Sequence, residues 1–259
     1  MRMMKKVLGT VTVLALSVSL LAGCGSTAVS PVSSTASTAA ESTTSSVVSE
    51  TTSAAADENV AAAAQLLNDL TGSYQELWPV ILADEYQQTW LDDCTALVGE
   101  ENAEAAFEKL SSMVTGDVYG EDAVEAYANG GGAYFCGFTN SLAILTFDGE
   151  TSTISGTDKD GNVLFSHTYH YIGMEPVRGL YEFESDDADS GEFTYFFLAP
   201  DTSAETYHIE FRYGSDAEAL SQYDAGEYAY WVASGISTDC DQTMIDNCIE
   251  LFCTENLAG

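Results

Sequence analysis

Short β-prone segments dominate the middle of the chain and constrain its fold more than any other feature. Between residues 133 and 214, runs rich in Tyr, Phe, Ile, Thr and Val alternate with Gly, Asp and Asn. The runs are YFCGFTN, LAILTFDG, TSTISGTDKDGNVLFSHTYHYIG, GLYEFES, EFTYFFLAP and TYHIEFRYG. Within the third run, Lys159-Asp160-Gly161-Asn162 is typical of a hairpin turn. Consecutive strands with tight connections and no intervening helices predict an antiparallel meander that closes into a barrel.

Helical patterns flank this region on both sides. Asn59–Leu70 is rich in Ala and Leu and lacks Gly and Pro, and Asn102–Met113 has a similar composition. Both predict helices. Thr238–Phe252 predicts a closing amphipathic helix with Thr238 or Asp239 as its N-cap. The sequence therefore predicts a mainly β fold with flanking helices.

The N-terminus has the features of an export signal. Arg2, Lys5 and Lys6 precede an apolar stretch over residues 7–21, and the sequence Leu21-Ala22-Gly23-Cys24 follows. Small residues before a cysteine at this distance are the pattern cleaved by lipoprotein signal peptidase, which leaves an acylated cysteine. We expect residues 1–23 to be removed and Cys24 to anchor the chain to the extracytoplasmic face of a bacterial membrane. The alternative is an ordinary secretory signal in which Cys24 is incidental.

Residues 24–57 form a segment of low complexity. They are mostly Ser, Thr, Ala and Val, which offer too little apolar surface to offset the entropy of ordering the chain. We interpret this stretch as a disordered tether that follows the lipid anchor. Residues 58–259 are then long enough for one domain with a substantial core.

The charge balance excludes one class of partner. The chain has 7 Lys and Arg against 41 Asp and Glu, for a net charge of −34. Nucleic acid binding requires clustered basic residues that neutralise phosphates, so no nucleic acid partner is expected. Anionic lipid surfaces are disfavoured for the same reason, which leaves the lipid at Cys24 as the expected contact with the membrane.

Motifs of catalysis are missing from the sequence. No Gly-x-Ser-x-Gly, P-loop, dinucleotide-binding glycine pattern or His-Glu-x-x-His is present. The spacing of Cys240, Cys248 and Cys253 does not match a zinc knuckle, and these residues are interpreted as buried or disulfide-bonded. We predict that the protein is not an enzyme.

The three histidines are the candidate metal ligands. His167 and His170 lie on one predicted strand, and His208 lies on another together with Glu210. Because alternate residues of a strand share a face, His208 and Glu210 are expected side by side, whereas His167 and His170 face opposite sides. Imidazole and carboxylate groups are zinc ligands, so a metal site is one interpretation. Polar residues satisfied by hydrogen bonds are the other.

Several short motifs follow one another along the chain. They are DLTGSYQELWPVIL at 69–82, DGNVL at 160–164, PVRGLYEF at 176–183, FLAP at 197–200, YHIEF at 207–211 and GSD at 214–216. In their order and spacing, over roughly residues 59 to 255, they resemble the ZinT (YodA) family of lipocalin-like, extracytoplasmic zinc-recruitment proteins. The resemblance implies a lipocalin- or calycin-like barrel that binds zinc.

The resemblance also implies three histidine ligands, one shortly before the Ala-Pro and two in a His-x-His. In this chain Phe196 lies near the first position, and Thr206-Tyr207-His208 occupies the second, so only His208 matches. Two outcomes stay open. Either the site is rebuilt from His208, Glu210 and His170 or His167 across the barrel, or the metal is lost and the fold is retained as a binding module.

From these features we predict an extracytoplasmic lipoprotein that binds a divalent metal, with zinc as the expected ion. Its role would be capture or delivery to a metal uptake system, with a metal ABC transporter solute-binding protein as the expected partner. The alternative function is a calycin-type module that binds a small apolar ligand or a protein partner without metal.

Overall fold

The computed structural model describes residues 58–200 and 206–258. The predicted leader over residues 1–23, the lipid anchor at Cys24 and the tether over residues 24–57 lie outside the described residues. In the described part of the chain, no helix is both long enough and apolar enough to cross a membrane.

Eight antiparallel strands form a closed barrel in which each strand pairs with its neighbours in sequence. The first and last strands pair with each other and complete the closure. The strands are β1 (Gly72–Glu76), β2 (Ile144–Asp148), β3 (Thr153–Thr157), β4 (Val163–Met174), β5 (Tyr181–Ser185), β6 (Tyr195–Leu198), β7 (Ile209–Gly214) and β8 (Ala233–Ser237). This topology confirms the predicted barrel with flanking helices.

The hairpin between β3 and β4 forms where its turn residues predict it. The Asp158 carboxylate accepts hydrogen bonds from the backbone N–H groups of Asp160 and Asn162. Gly161 adopts a φ of +81°, which glycine reaches without steric cost. The turn therefore joins the two strands as the hairpin prediction expects.

Aromatic side chains fill the inside of the barrel. Phe196 is fully buried, and its ring centroid lies 5.4 Å from those of Tyr169 and Tyr213. Protein interiors pack as densely as organic crystals, and small barrels fill with side chains in this way. Phe196, near the position of one histidine that the resemblance implies, is therefore part of a packed aromatic core.

Helices cover the barrel and form a second core beside it. They are α1 (58–69), α2 (Leu77–Ile81), α3 (Gln87–Val98), α4 (Ala103–Val114), α5 (Glu121–Ala128), α6 (Ala217–Leu220) and α7 (Gln242–Leu257). Leu66, Leu67 and Leu70, in and just after α1, pack into the barrel core. The second core joins α2, α3, α4 and α7, with Trp90 at its centre. Ile236 of β8 connects this helical layer to the barrel.

The structure corrects four details of the sequence-based prediction. The run 134–140 makes only isolated bridges through Phe135, because the chain there runs between α5 and β2 without a full partner strand. Strands β1 and β8 were not predicted, although they close the barrel.

The final helix begins at Gln242, and Asp241 is its N-cap because its side chain accepts a hydrogen bond from the Met244 N–H. Strand β7 begins at Ile209, so His208 immediately precedes the strand instead of lying within it.

Candidate functional site

The backbone just before β7 positions His208. Tyr207 has a φ of +64°, in the left-handed region that costs a residue with a Cβ about 1–2 kcal/mol. The Tyr207 side chain packs against the helical core, and the Thr206 hydroxyl donates a hydrogen bond of 2.8 Å to the His208 carbonyl. These contacts hold the strained turn. The His208 imidazole is thereby directed towards both β7 and helix α7.

One hydrogen bond fixes the tautomer of His208. Its Nδ1 lies 2.7 Å from the Thr206 carbonyl oxygen. A carbonyl only accepts, so Nδ1 carries the proton and Nε2 keeps its lone pair when the ring is neutral. Histidines that bind metals are usually oriented in this way, with the second ring N–H donated to a carbonyl or carboxylate.

The two ring nitrogens of His208 face different partners. Nε2 lies 3.8 Å from the Glu210 carboxylate oxygen Oε1, and Nδ1 lies 3.9 Å from the Cys248 thiol sulfur. Cys248 is buried in helix α7, and the His208 side chain is only 18% exposed, whereas the Glu210 side chain is 50% exposed. The imidazole therefore lies between a buried thiol and a carboxylate that reaches solvent.

The surroundings of His208 favour its charged form. Burial lowers the pKa of the imidazole, but interactions with Cys248 and Glu210 outweigh burial and hold the pKa well above its ordinary value of 6.5. Burial raises the pKa of Glu210, but its interaction with His208, together with the charge of Arg178, lowers it on balance. Because the Glu210 side chain is half exposed, water screens part of this attraction.

The pair of His208 and Glu210 fits a metal ion as two ligands. Two ligand atoms on a tetrahedral zinc ion lie about 3.4 Å apart, since Zn–N and Zn–O distances are about 2.0–2.2 Å. The 3.8 Å between Nε2 and Oε1 is close to this value. Cys248 lies on the Nδ1 side of the ring, so the same ion cannot use it while bound to Nε2.

A complete protein cage for a metal is not present among the described residues. In residues 58–200 and 206–258, no group of three or more His, Cys, Asp and Glu side chains converges to hold an ion. Water molecules would therefore complete the coordination of an ion at His208 and Glu210. Such a site has fewer protein ligands than structural zinc sites use.

His167 and His170 form a separate cluster with acidic residues. His167 Nδ1 lies 2.7 Å from Asp187 Oδ2, and its ring faces inward beside Phe165. His170 faces outward, with Nδ1 2.8 Å from Asp186 Oδ1 and Nε2 3.9 Å from a Glu184 carboxylate oxygen. The two histidines thus face opposite sides of β4, as the spacing predicts.

Strand register separates this cluster from His208. His170 pairs with Glu184, Glu184 with Tyr195, and Tyr195 with Gly214. His208 lies six residues from Gly214 along the direction of β7, which corresponds to roughly 20 Å. The structure therefore brings His208 and Glu210 together and places His167 and His170 towards the other end of the barrel.

Sequence reasoning missed two neighbours of this site. Cys248 approaches His208 only because α7 packs against the chain before β7, and Arg178 influences Glu210 from the loop between β4 and β5. Both interactions join positions more than thirty residues apart. No local spacing rule identifies such contacts.

Two solved structures are similar to this chain. The Zn(II)-bound ZinT-like domain of Streptococcus pneumoniae AdcA aligns at 16% identity and a TM-score of 0.45, over 71% of this chain and 89% of that domain. Zn(II)-bound AdcA from Streptococcus pneumoniae aligns at 15% identity and a TM-score of 0.42, over 70% of this chain and 34% of that protein. No protein-family model and no curated protein matches the sequence. The assignment of the barrel therefore rests on this chain's own strand pairing.

Proposed function

We propose that the barrel domain binds a divalent transition metal, with zinc as the preferred ion, at His208 and Glu210. The observation that carries the proposal is the orientation of one imidazole. The Thr206 carbonyl holds the proton on Nδ1, and the remaining nitrogen, Nε2, faces the Glu210 carboxylate at 3.8 Å. Nitrogen and oxygen donors in this arrangement suit zinc.

Burial separates His208 from His170 but not from His167, since the exposed fractions of the three side chains are 18%, 52% and 17%. His167 is set apart by its place in the other cluster, where its Nδ1 lies 2.7 Å from Asp187 Oδ2. A buried side chain has already lost its rotamer freedom, so binding an ion costs less entropy there than at a mobile surface residue. His167 and His170 are not part of the proposed site.

The features of the N-terminus support a proposal for the wider role of the domain. We propose that Cys24 anchors the chain outside the cytoplasm and that residues 24–57 form the tether. The domain would then capture zinc or deliver it to a metal ABC transporter solute-binding protein. This role requires binding and release, and no catalytic step.

The alternative function, binding of a small apolar ligand, finds less support in the barrel interior. Ligand pockets commonly have volumes of about 300–1,000 Å³. The centre of this barrel is occupied by the fully buried rings of Phe147, Phe183, Phe196, Phe211 and Tyr213. A ligand would have to displace several of these rings.

Zinc titration by calorimetry on the full chain, purified in detergent, tests the proposal. We expect the wild type to bind one zinc ion, and His208→Ala and Glu210→Gln to bind at least about tenfold more weakly because each loses a ligand. His170→Ala is the matched control, with the same substitution at a histidine that lies near the carboxylates of Glu184 and Asp186. The proposal is wrong if His208→Ala and His170→Ala bind zinc equally.

A further inference from the structure

Two buried cysteines meet at the contact between helices α3 and α7. The Sγ atoms of Cys94 and Cys253 lie 3.9 Å apart, and both side chains are fully buried in the helical core. Trp90 and Phe252 pack beside them, with ring centroids 6.0 Å apart. The two sulfurs are therefore held at van der Waals distance by the packing of the helices.

The other described cysteines have different surroundings. Cys248 contacts the His208 imidazole, and the Cys136 sulfur lies 3.9 Å from the Tyr134 carbonyl. Cys240 is only partly buried, before α7 begins. Among the described cysteines, Cys94 and Cys253 are thus the pair with sulfur in contact with sulfur.

We infer that Cys94 and Cys253 form a disulfide that joins α3 to the C-terminal helix. Both are free cysteines in the structure, and a disulfide requires their sulfurs to move from 3.9 Å to about 2.05 Å apart. This inference is independent of the metal site, since neither cysteine contacts His208 or Glu210 in the described structure.

The oxidant is a disulfide-bearing molecule, either a small disulfide or an oxidised dithiol protein. One cysteine, as thiolate, attacks the oxidant and forms a mixed disulfide, which releases one thiol of the oxidant. The second cysteine then attacks the protein sulfur of the mixed disulfide and releases the other thiol. Two electrons pass from the cysteine sulfurs to the oxidant, and the two cysteine protons end on its thiols.

Burial determines when this reaction takes place. Both thiols are enclosed, and burial raises the pKa of Cys94 and of Cys253, so the thiolate is scarce in the folded protein. The oxidant therefore reaches the cysteines before α7 packs against α3. Once formed, the bond is shielded from reductants by the same packing.

Refolding under two redox conditions tests the inference. The full chain, denatured and reduced, is refolded in detergent with either oxidised glutathione or excess dithiothreitol, then alkylated at low pH, digested and mapped by mass spectrometry. With oxidised glutathione we expect a peptide pair linked through Cys94 and Cys253, lighter by two hydrogen atoms than the separate peptides. With dithiothreitol both peptides are alkylated.

The link should also be visible in thermal unfolding. It joins residues 159 positions apart, and native disulfides of this kind raise the Tm of a domain of this size by about 5–15 °C. Cys240→Ala, a control at a partly buried cysteine, should keep this difference between the oxidised and reduced forms, and Cys94→Ala should lose it.

The inference is overturned if the oxidised wild type contains alkylated Cys94, or Cys94 linked to another cysteine. If Cys94→Ala does not fold, the peptide map of the wild type decides alone.

Discussion

The two histidine clusters of this domain use the same chemical groups in different environments. His208 and His170 each have Nδ1 near a main-chain or side-chain oxygen and Nε2 within 4 Å of a glutamate. They differ in exposure, since 18% of the His208 side chain and 52% of the His170 side chain reach solvent. The comparison teaches that the nitrogen and oxygen atoms around a histidine do not by themselves distinguish a metal site from a surface ion pair.

Because the two histidines differ in burial, the charges around them interact with different strength. Around His170 water screens the ion pairs, and exposed pairs of this kind contribute about 0–1 kcal/mol to stability. Around His208 the buried thiol of Cys248 and the Glu210 carboxylate hold the pKa of the imidazole well above its ordinary value. We therefore expect the two clusters to respond differently to the same substitutions.

The largest expected difference is in stability. His208→Ala removes the hydrogen bond to Thr206 and the interaction with Glu210 from a mostly buried position, and should lower the free energy of unfolding by about 2 kcal/mol. His170→Ala should change it by less than about 0.5 kcal/mol. Urea unfolding followed by circular dichroism measures both variants, and similar losses would show that burial does not separate the two clusters.

A second difference concerns pH. The pKa of His208 is raised above its ordinary 6.5, so its stabilisation is complete below pH 6.5 and is lost as the pH rises through the raised pKa. The pKa of Glu210 is lowered below 4.5, so its contribution is present above pH 4.5 and is lost as the pH falls through the lowered pKa. The difference in unfolding free energy between wild type and His208→Gln should therefore be largest between about pH 4.5 and 6.5.

Urea unfolding of both proteins from pH 4 to pH 9 measures this dependence. The same series with His170→Gln provides the control at an exposed histidine. A difference between wild type and His208→Gln that grows above pH 7 would contradict the electrostatic environment described for His208.

The smallest expected effect is at the exposed pair of His170 and Asp186. Asp186→Asn removes the charge that faces His170 Nδ1 at 2.8 Å, with both side chains about half exposed. It should change the unfolding free energy by less than about 0.5 kcal/mol at low salt. The change should disappear in 1 M NaCl, where the Debye length is about 3 Å. A larger loss that persists in salt would mean that this cluster also is held rigidly.

The barrel was predictable from sequence because its hairpins are local. The Asp158 turn and the alternation along β4 are visible within a few residues. Strand β8, Ala233–Ser237, was missed because it is short, rich in small residues and buried over four of its five positions, which removes the alternation. Strand β1 was missed because its partners lie about 70 and 160 residues away.

The candidate site was predictable only in part, because the sequence pattern reveals contacts between nearby residues and not between distant ones. The proximity of His208 and Glu210 follows from their spacing of two residues at the start of a strand. The stagger of a closed barrel sets the distance from His208 to His167 and His170, and the order of strands in the sequence does not reveal that stagger. The contact with Cys248 depends on how a helix forty residues later packs against the barrel.

The most direct test of the central claim is nuclear magnetic resonance of the histidine ring nitrogens, because the chain has only three histidines. In protein labelled with ¹⁵N-histidine, at a pH where the rings are neutral, the His208 signals should show the proton on Nδ1. Substoichiometric zinc should then shift Nε2 of His208 first and leave the signals of His167 and His170 unchanged. A shift at His170 or His167 before any change at His208 would contradict the assignment of the metal site to His208.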